Sequence, residues 1–276
     1  MTAKDTTQEY ALGSTDAEHE RLIRQSELLE PITERFFREA GITSGDRVLD
    51  LGSGVGDVAM LAAKIVGPAG EVVGIERDER SIARARARVA EAGFRNVSFT
   101  QSDANEVRSE ELFDAVVGRF ILQFFPDPAV ILRALSGLVR SGGVIAFHEP
   151  QWEPMLAVLE PLPRTHACAL INRESLHGSG ARTDMGLALH KIYQDAGLPA
   201  PKMRLEMALG AEQKYTQWIF DLFQTLRPQA EKLGLNLAKL GDLGTLAERM
   251  HAERAASDAV VPMIAMVGVW SRKPAG

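Results

Sequence analysis

Residues 48–57 read VLDLGSGVGD, an apolar run that ends in an aspartate and continues into three glycines at every second position. Val48 to Leu51 have the composition of a buried strand. Gly52, Gly54 and Gly56 permit a sharp turn and let a ligand approach the main chain. Asp57 is placed to cap a helix through Ala59, Leu61, Ala62, Ile65 and Val66, which Gly67-Pro68 would end. Strand, glycine turn and helix N-terminus in succession make a nucleotide site at the edge of a doubly wound α/β sheet.

The glycines alone leave two nucleotides open. Gly54, Gly56 and Ala59 fit the dinucleotide pattern G-x-G-x-x-A, and Glu76 follows Gly56 by 20 residues, as a ribose-binding acid would. A dinucleotide, however, puts a doubly charged pyrophosphate on the helix N-terminus. Asp50 and Asp57 would flank that phosphate, and like charges so close disfavour one another. S-adenosylmethionine (SAM) has no phosphate and carries an ammonium group and a sulfonium, which suit an acidic glycine loop. An NAD(P)-dependent oxidoreductase is the alternative. A non-catalytic SAM-binding regulator is a second.

Three further segments follow in order. VVGIERD contains Glu76 and Arg77, VSFTQSDA ends in Asp103 and Ala104, and FDAVVGR ends in Arg119. ALSGLVRSGGVIAF, residues 134–147, comes next, with Ser141 where proline is usual. With DLGSGVG these motifs resemble the class I SAM-dependent methyltransferases across residues 46–148. Near the N-terminus, Tyr10-x-Leu12-Gly13, Glu20-Arg21-Leu22 and Gln25 are similar to a set in bacterial small-molecule methyltransferases of quinone biosynthesis and specialised metabolism. The resemblance implies a seven-stranded, mostly parallel sheet of order 3-2-1-4-5-7-6 with a helical lid. It implies that Gly52, Ser53, Gly54 and Gly56 line the methionine and ribose of SAM, with Asp50 near the ammonium. Glu76 would take the ribose diol with Arg77 beside it, and Asp103 the adenine amine with Ala104. Tyr10, Gln25 and Arg119 would close the methionine end.

Composition narrows the partners. A net charge of −6 gives no basic footprint for nucleic acid. The run Arg84, Arg86, Arg88 reads as the solvated face of a helix whose other face is Ile82, Ala85 and Val89. Cys168 is the only cysteine, so neither an intrachain disulfide nor a cysteine-rich metal site is available. Pro150 directly after His148-Glu149 rules out an H-E-x-x-H zinc helix, and no metal is expected. No apolar run reaches membrane-spanning length, so a cytoplasmic protein without a membrane partner is expected.

The chain divides into an N-terminal arm with lid helices (1–45), a SAM-binding core (46–149), a lid insertion (150–183), a core helix and sixth strand (184–209), a helical lid insertion (210–259) and a final strand (260–276). Pro31 is expected to separate two helices, Gly142 to end another, and the four prolines of residues 150–163 to break that segment. The inserted helices read as a lid over a small-molecule substrate, with core packing or a homodimer contact as the alternative. His148 and Glu149, at the end of the fifth strand, are the candidate bases. His166, Arg173, His177, Arg182 and Tyr215 fall in the expected lid, where Trp152 and Trp218 could stack on a planar substrate.

Overall fold

The protein is described here by a computed structural model, which covers Gly13 and residues 15–274. Tyr10 lies outside the described residues. The apolar runs form β1 (Arg47–Leu51), β2 (Glu71–Glu76), β3 (Val97–Gln101), β4 (Phe113–Arg119), β5 (Val139–Gln151), β6 (Lys202–Glu206) and the last strand, β9 (Ala265–Arg272). Two short strands, β7 (Leu209–Gly210) and β8 (Val261–Pro262), pair separately. The main sheet has seven strands in the order β3-β2-β1-β4-β5-β9-β6. Its first five strands are parallel, and β9 runs antiparallel to both β5 and β6. Counted within that sheet, the order is the expected 3-2-1-4-5-7-6.

Successive residues of a strand point to opposite faces, so each strand feeds two layers. Val48, Ala115, Val117, Val144 and Ala146 pack with α2 (Asp57–Val66), α3 (Glu79–Glu91) and the end of α1 (Asp16–Ala40). Leu49, Val116, Ile145 and Val269 pack on the other side with α4 (Pro128–Ser136) and α7 (Met185–Asp195). There the fully buried Tyr193 hydroxyl donates to the carbonyls of Ile145 and Val269, at 3.2 and 3.0 Å, tying α7 to two strands.

A third apolar cluster meets the sheet at Met266 of β9. It joins α5 (Trp152–Leu159), α6 (Pro163–Gly178), α8 (Gln213–Lys232) and α9 (Leu246–Ala255) to Leu29 and Ile32 of α1. Among the described residues, no helix is long and apolar enough to cross a membrane.

Proline placement differs from expectation twice. α1 runs unbroken through Pro31. Glu27, whose carbonyl loses its partner, is exposed and can be hydrated, while burial of Leu29, Ile32, Phe36 and Phe37 holds the two halves in line. α8 likewise continues through Pro228. Residues 150–163 are not a broken loop: β5 extends through Pro150, and α5 carries Pro154 in its first turn, where proline is tolerated. Gly142 sits inside β5 rather than at a helix end. Asp57 does not cap α2 either. Gly56 occupies that position, and Asp57 pairs with Arg88 at 2.7 Å.

Candidate active site

The carboxyl ends of β1, β2, β3 and β4 open onto a cavity of about 680 Å³. This falls within the range of small-molecule sites, roughly 300–1,000 Å³. Its floor is the glycine turn between β1 and α2. Gly54 has φ +50°, and a side chain placed there would meet no protein atom within 4 Å, so its backbone faces open space. Gly56, at φ +88°, has a different task. A Cβ there would press on Ala85 and Phe99 at 3.2 Å, so this glycine lets α3 pack closely and does not itself line the cavity.

Glu76 fixes the turn to the end of β2. Its Oε2 accepts the Gly54 N–H at 3.0 Å, and Oε1 accepts the N–H groups of Arg77 and Asp78 at 2.8 and 3.0 Å. Gly52, Ser53, Gly54, Glu76, Arg77, Asp103, Ala104, Arg119 and Gln25 all line the cavity. The sequence motifs therefore converge on one place.

Asp50 lies one residue behind this lining. It is fully buried, and neither carboxylate oxygen has a hydrogen-bond partner. Burial holds its pKa well above the usual carboxylate range, Asp57 and Glu76 push the same way, and Arg119 opposes. The Ala59 amide dipole also favours the charged form, without closing a hydrogen bond. Such a group is stabilised by a cation brought near it. The buried Ser53 hydroxyl is also unpartnered and lines the cavity. Both observations fit a cationic, hydroxylated ligand such as SAM. A pyrophosphate would add anions beside Asp50, whose charged form burial already disfavours.

The opposite wall comes from the third cluster and α1. Trp152 (α5), Leu176 (α6), and Trp218 and Leu222 (α8) line it with Arg21, Leu22 and Gln25. A buried network sets their positions. Arg21 donates to both Glu18 oxygens at 2.7 and 2.6 Å and to Gln25 Oε1 at 2.7 Å. Trp218 Nε1 donates to the same Gln25 oxygen at 3.0 Å, and Thr225 donates to Glu18 at 2.9 Å. Sequence reading placed Gln25 at the site but not the Glu18–Arg21 pair that orients it.

The segment after β4 was missed as a wall. Phe120, Ile121, Gln123, Phe124, Phe125 and Pro126 all line the cavity. Phe120 adopts φ +58°, costly for a bulky residue, so the surrounding structure must hold it. The legible signal was an aromatic run with one glutamine, RFILQFFP, just past the carboxyl end of a parallel strand.

His148 and Glu149, the expected bases, do not line the cavity. His148 is buried against Phe36, and its Nδ1 lies 3.1 Å from the Thr33 hydroxyl. Burial, with Arg119 nearby, lowers its pKa to about 3, so it stays neutral. Glu149 is fully buried and accepts the N–H groups of Ile121 and Leu122 on Oε1 at 2.9 and 3.0 Å, and that of Gln123 on Oε2 at 3.3 Å. It clamps the aromatic segment from behind. Arg119 lines the cavity but is anchored, donating to Thr33 and Ser26 hydroxyls at 3.1 and 3.2 Å.

Trp152 and Trp218 reach the site, whereas His166, Arg173, His177, Arg182 and Tyr215 do not line it. Arg173 pairs with Glu174, and Arg182 with Asp184. The basic run is consumed locally: Arg84 pairs with Glu20, Arg86 donates to the Phe99 carbonyl, and Arg88 pairs with Asp57. Among the described residues, no group of three or more His, Cys, Asp or Glu is placed to hold a metal.

Comparison with known proteins decides the family. The sequence model of the methyltransferase domain family matches residues 42–224, well over half the chain. The chain belongs to this family. It is 31% identical over 129 residues to demethylmenaquinone methyltransferase of Staphylococcus aureus strain JH9, a match covering 46% of this chain and 52% of that one. The chain thus spans about half the length of the curated relatives it matches. A SAM-dependent methyltransferase from Aquifex aeolicus shares the fold, with TM-score 0.51, 20% identity, and coverage of 71% of this chain and 92% of that one. The cyclase SpnF shares it too, with TM-score 0.53, 18% identity, and coverage of 90% and 82%. Family membership gives residues 42–224 a methyltransferase domain, on the fold shared with the Aquifex aeolicus protein.

Proposed function

We propose that the cavity holds SAM against the glycine turn and a small organic acceptor against the aromatic wall, and that the acceptor is methylated at O, N or C. The observation that carries this reading is the buried, unpartnered Asp50 carboxylate beneath the turn, next to an open Gly54 backbone. On this reading Glu76 receives the ribose, Asp103 and Ala104 the adenine, and Asp50 offsets the ammonium electrostatically. Gln25 and Arg119 border the methionine end.

SAM, when bound, supplies a methyl carbon already activated by its sulfonium. The chain has to position, desolvate and, for a protonated nucleophile, remove a proton. Positioning falls to the glycine turn and Glu76. The helices α1, α5, α6 and α8 act as a lid that keeps water out, with residues 15–45, 150–183 and 210–259 supplying it.

Proton removal has no candidate at the aromatic end. The carboxylates lining the cavity are Asp57, Glu76, Asp78 and Asp103, all from the glycine-turn end of the sheet. Asp57 is paired with Arg88, Glu76 binds three backbone amides, and Asp78 caps α3 through the Ser81 N–H. No histidine, cysteine, lysine or tyrosine is among the described lining residues. The acceptor atom therefore enters without its proton, as a neutral amine or an acidic enol or phenol does.

Incubation with methyl-labelled SAM and a panel of such acceptors tests the reading. Label in the organic product supports it. Binding of SAM with no labelled product across the panel favours a protein that keeps this fold without methyl transfer, because fold alone does not dictate the reaction.

A further inference from the structure

Gln123 is the one polar side chain in the aromatic segment after β4. It is 4% exposed, it lines the cavity, and its Oε1 has no hydrogen-bond partner. Its main chain is pinned from both directions. The Gln123 N–H donates to Glu149 Oε2 at 3.3 Å, and its carbonyl accepts the Arg182 N–H at 2.9 Å. A buried amide oxygen left without a donor costs roughly 1–3 kcal/mol, so an arrangement that holds it there invites a ligand donor. Five rings line the same cavity: Phe120, Phe124, Phe125, Trp152 and Trp218. Of the cations that line the cavity, Arg21 is paired with Glu18, and Arg119, at the methionine end, donates to Thr33 and Ser26. The lining residues of that wall, Phe120 to Pro126 with Trp152 and Trp218, include no charged side chain to receive a carboxylate.

We infer that Gln123 is a specificity-determining residue, and that it accepts a hydrogen bond from a flat, ring-containing acceptor that carries no carboxylate and bears an O–H or N–H group besides the atom to be methylated. This rests on the reading of the cavity as a SAM and acceptor site, and it adds the acceptor's chemical class. Flat rings stack on the aromatic wall, and the donor group fixes which edge of the ring turns toward the glycine end. A ring without a donor would leave Oε1 unpaired and bind more weakly. A carboxylate in its place would meet the amide oxygen with no cation on that wall to compensate.

Calorimetry on protein saturated with S-adenosylhomocysteine tests this with three probes of one shape: 4-propylphenol, its methyl ether 4-propylanisole, and 4-propylbenzoate. The phenol should bind about tenfold more tightly than the ether, the worth of one neutral hydrogen bond to a buried group. The benzoate should bind most weakly. In Gln123→Met the phenol's advantage over the ether should vanish, while affinity for S-adenosylhomocysteine stays within twofold. Equal binding of phenol and ether to the unmodified protein overturns the inference, as does an advantage that survives in Gln123→Met. Tightest binding of the benzoate, or no binding of any probe, overturns it too. Should Gln123→Met not fold, the phenol-to-ether ratio of the unmodified protein decides alone. Failure to bind S-adenosylhomocysteine at all would instead overturn the proposed function, which separates the two.

Discussion

Replacing Glu149 with glutamine separates a structural clamp from a catalytic base. Burial raises the Glu149 pKa from 4.5 to about 7, against the opposing pull of the Leu122, Ile121 and Gln123 amides. A carboxyl group with a raised folded pKa binds more protons in the folded state than in the unfolded one. Its contribution is therefore fully present below about pH 4.5 and is lost as pH rises toward 7. Going from 4.5 to about 7, at about 1.4 kcal/mol per pH unit, amounts to about 3 kcal/mol.

Glutamine imitates the protonated acid. Its carbonyl oxygen can keep the Ile121 and Leu122 N–H groups, whereas the longer bond to Gln123 is lost, at about 1 kcal/mol. Glu149→Gln should therefore be about 1 kcal/mol less stable at pH 4.5 and about 2 kcal/mol more stable at pH 8. For a chain of this size that is a rise in Tm of roughly 4–8 °C at pH 8. His148 pulls the other way. Its pKa, lowered to about 3, costs stability as pH falls from 6.5. It is present in both proteins, so the difference between their Tm–pH curves isolates Glu149. Scanning calorimetry from pH 4.5 to 8 reads that difference. Activity should fall no more than a few-fold, whereas loss of a general base costs about 10²–10⁴. A lower Tm for the variant at pH 8, or a hundredfold loss of rate with Tm unchanged, would refute the clamp.

The remaining predictions concern the lid and the proton. Arg21→Met strands the buried Glu18 carboxylate and should destabilise the protein by about 3–5 kcal/mol; a thermal shift under a few degrees would show the network to be dispensable. Adding Glu18→Gln to that variant should recover much of the loss, because the uncompensated charge is gone. With no base at the aromatic end, the pH–rate profile should follow the acceptor. Exchanging one phenol for another two pH units more acidic should move the inflection by about two units, and an inflection that stays fixed would point to an enzyme group.

Much of the glycine-turn half of the site was legible because its chemistry is local in sequence. A strand end, a glycine turn and an acid at the end of the next strand each announce themselves within ten residues, and Gly54, Glu76 and Asp103 line one cavity, as the resemblance implied. The acceptor half was not legible, because its parts are distant in sequence. Trp218 meets Gln25 across 193 residues, and Glu149 clamps a segment 26–28 residues before it. Nothing near His148 or Glu149 in the sequence reveals that one would face Thr33 and the other a row of backbone amides. Pro31 misled for a related reason: proline breaks a helix locally, but tertiary burial keeps α1 continuous.

Titration with S-adenosylhomocysteine tests the central claim most directly, with Asp103→Ala alongside. The Asp103 side chain takes part in no hydrogen bond or ion pair among the described residues, so its loss should leave the fold intact. The account expects one molecule bound per chain, and affinity about tenfold or more weaker in Asp103→Ala, the effect of losing a hydrogen bond to a charged group. No heat with S-adenosylhomocysteine, or tight binding of NADH in its place, would contradict it.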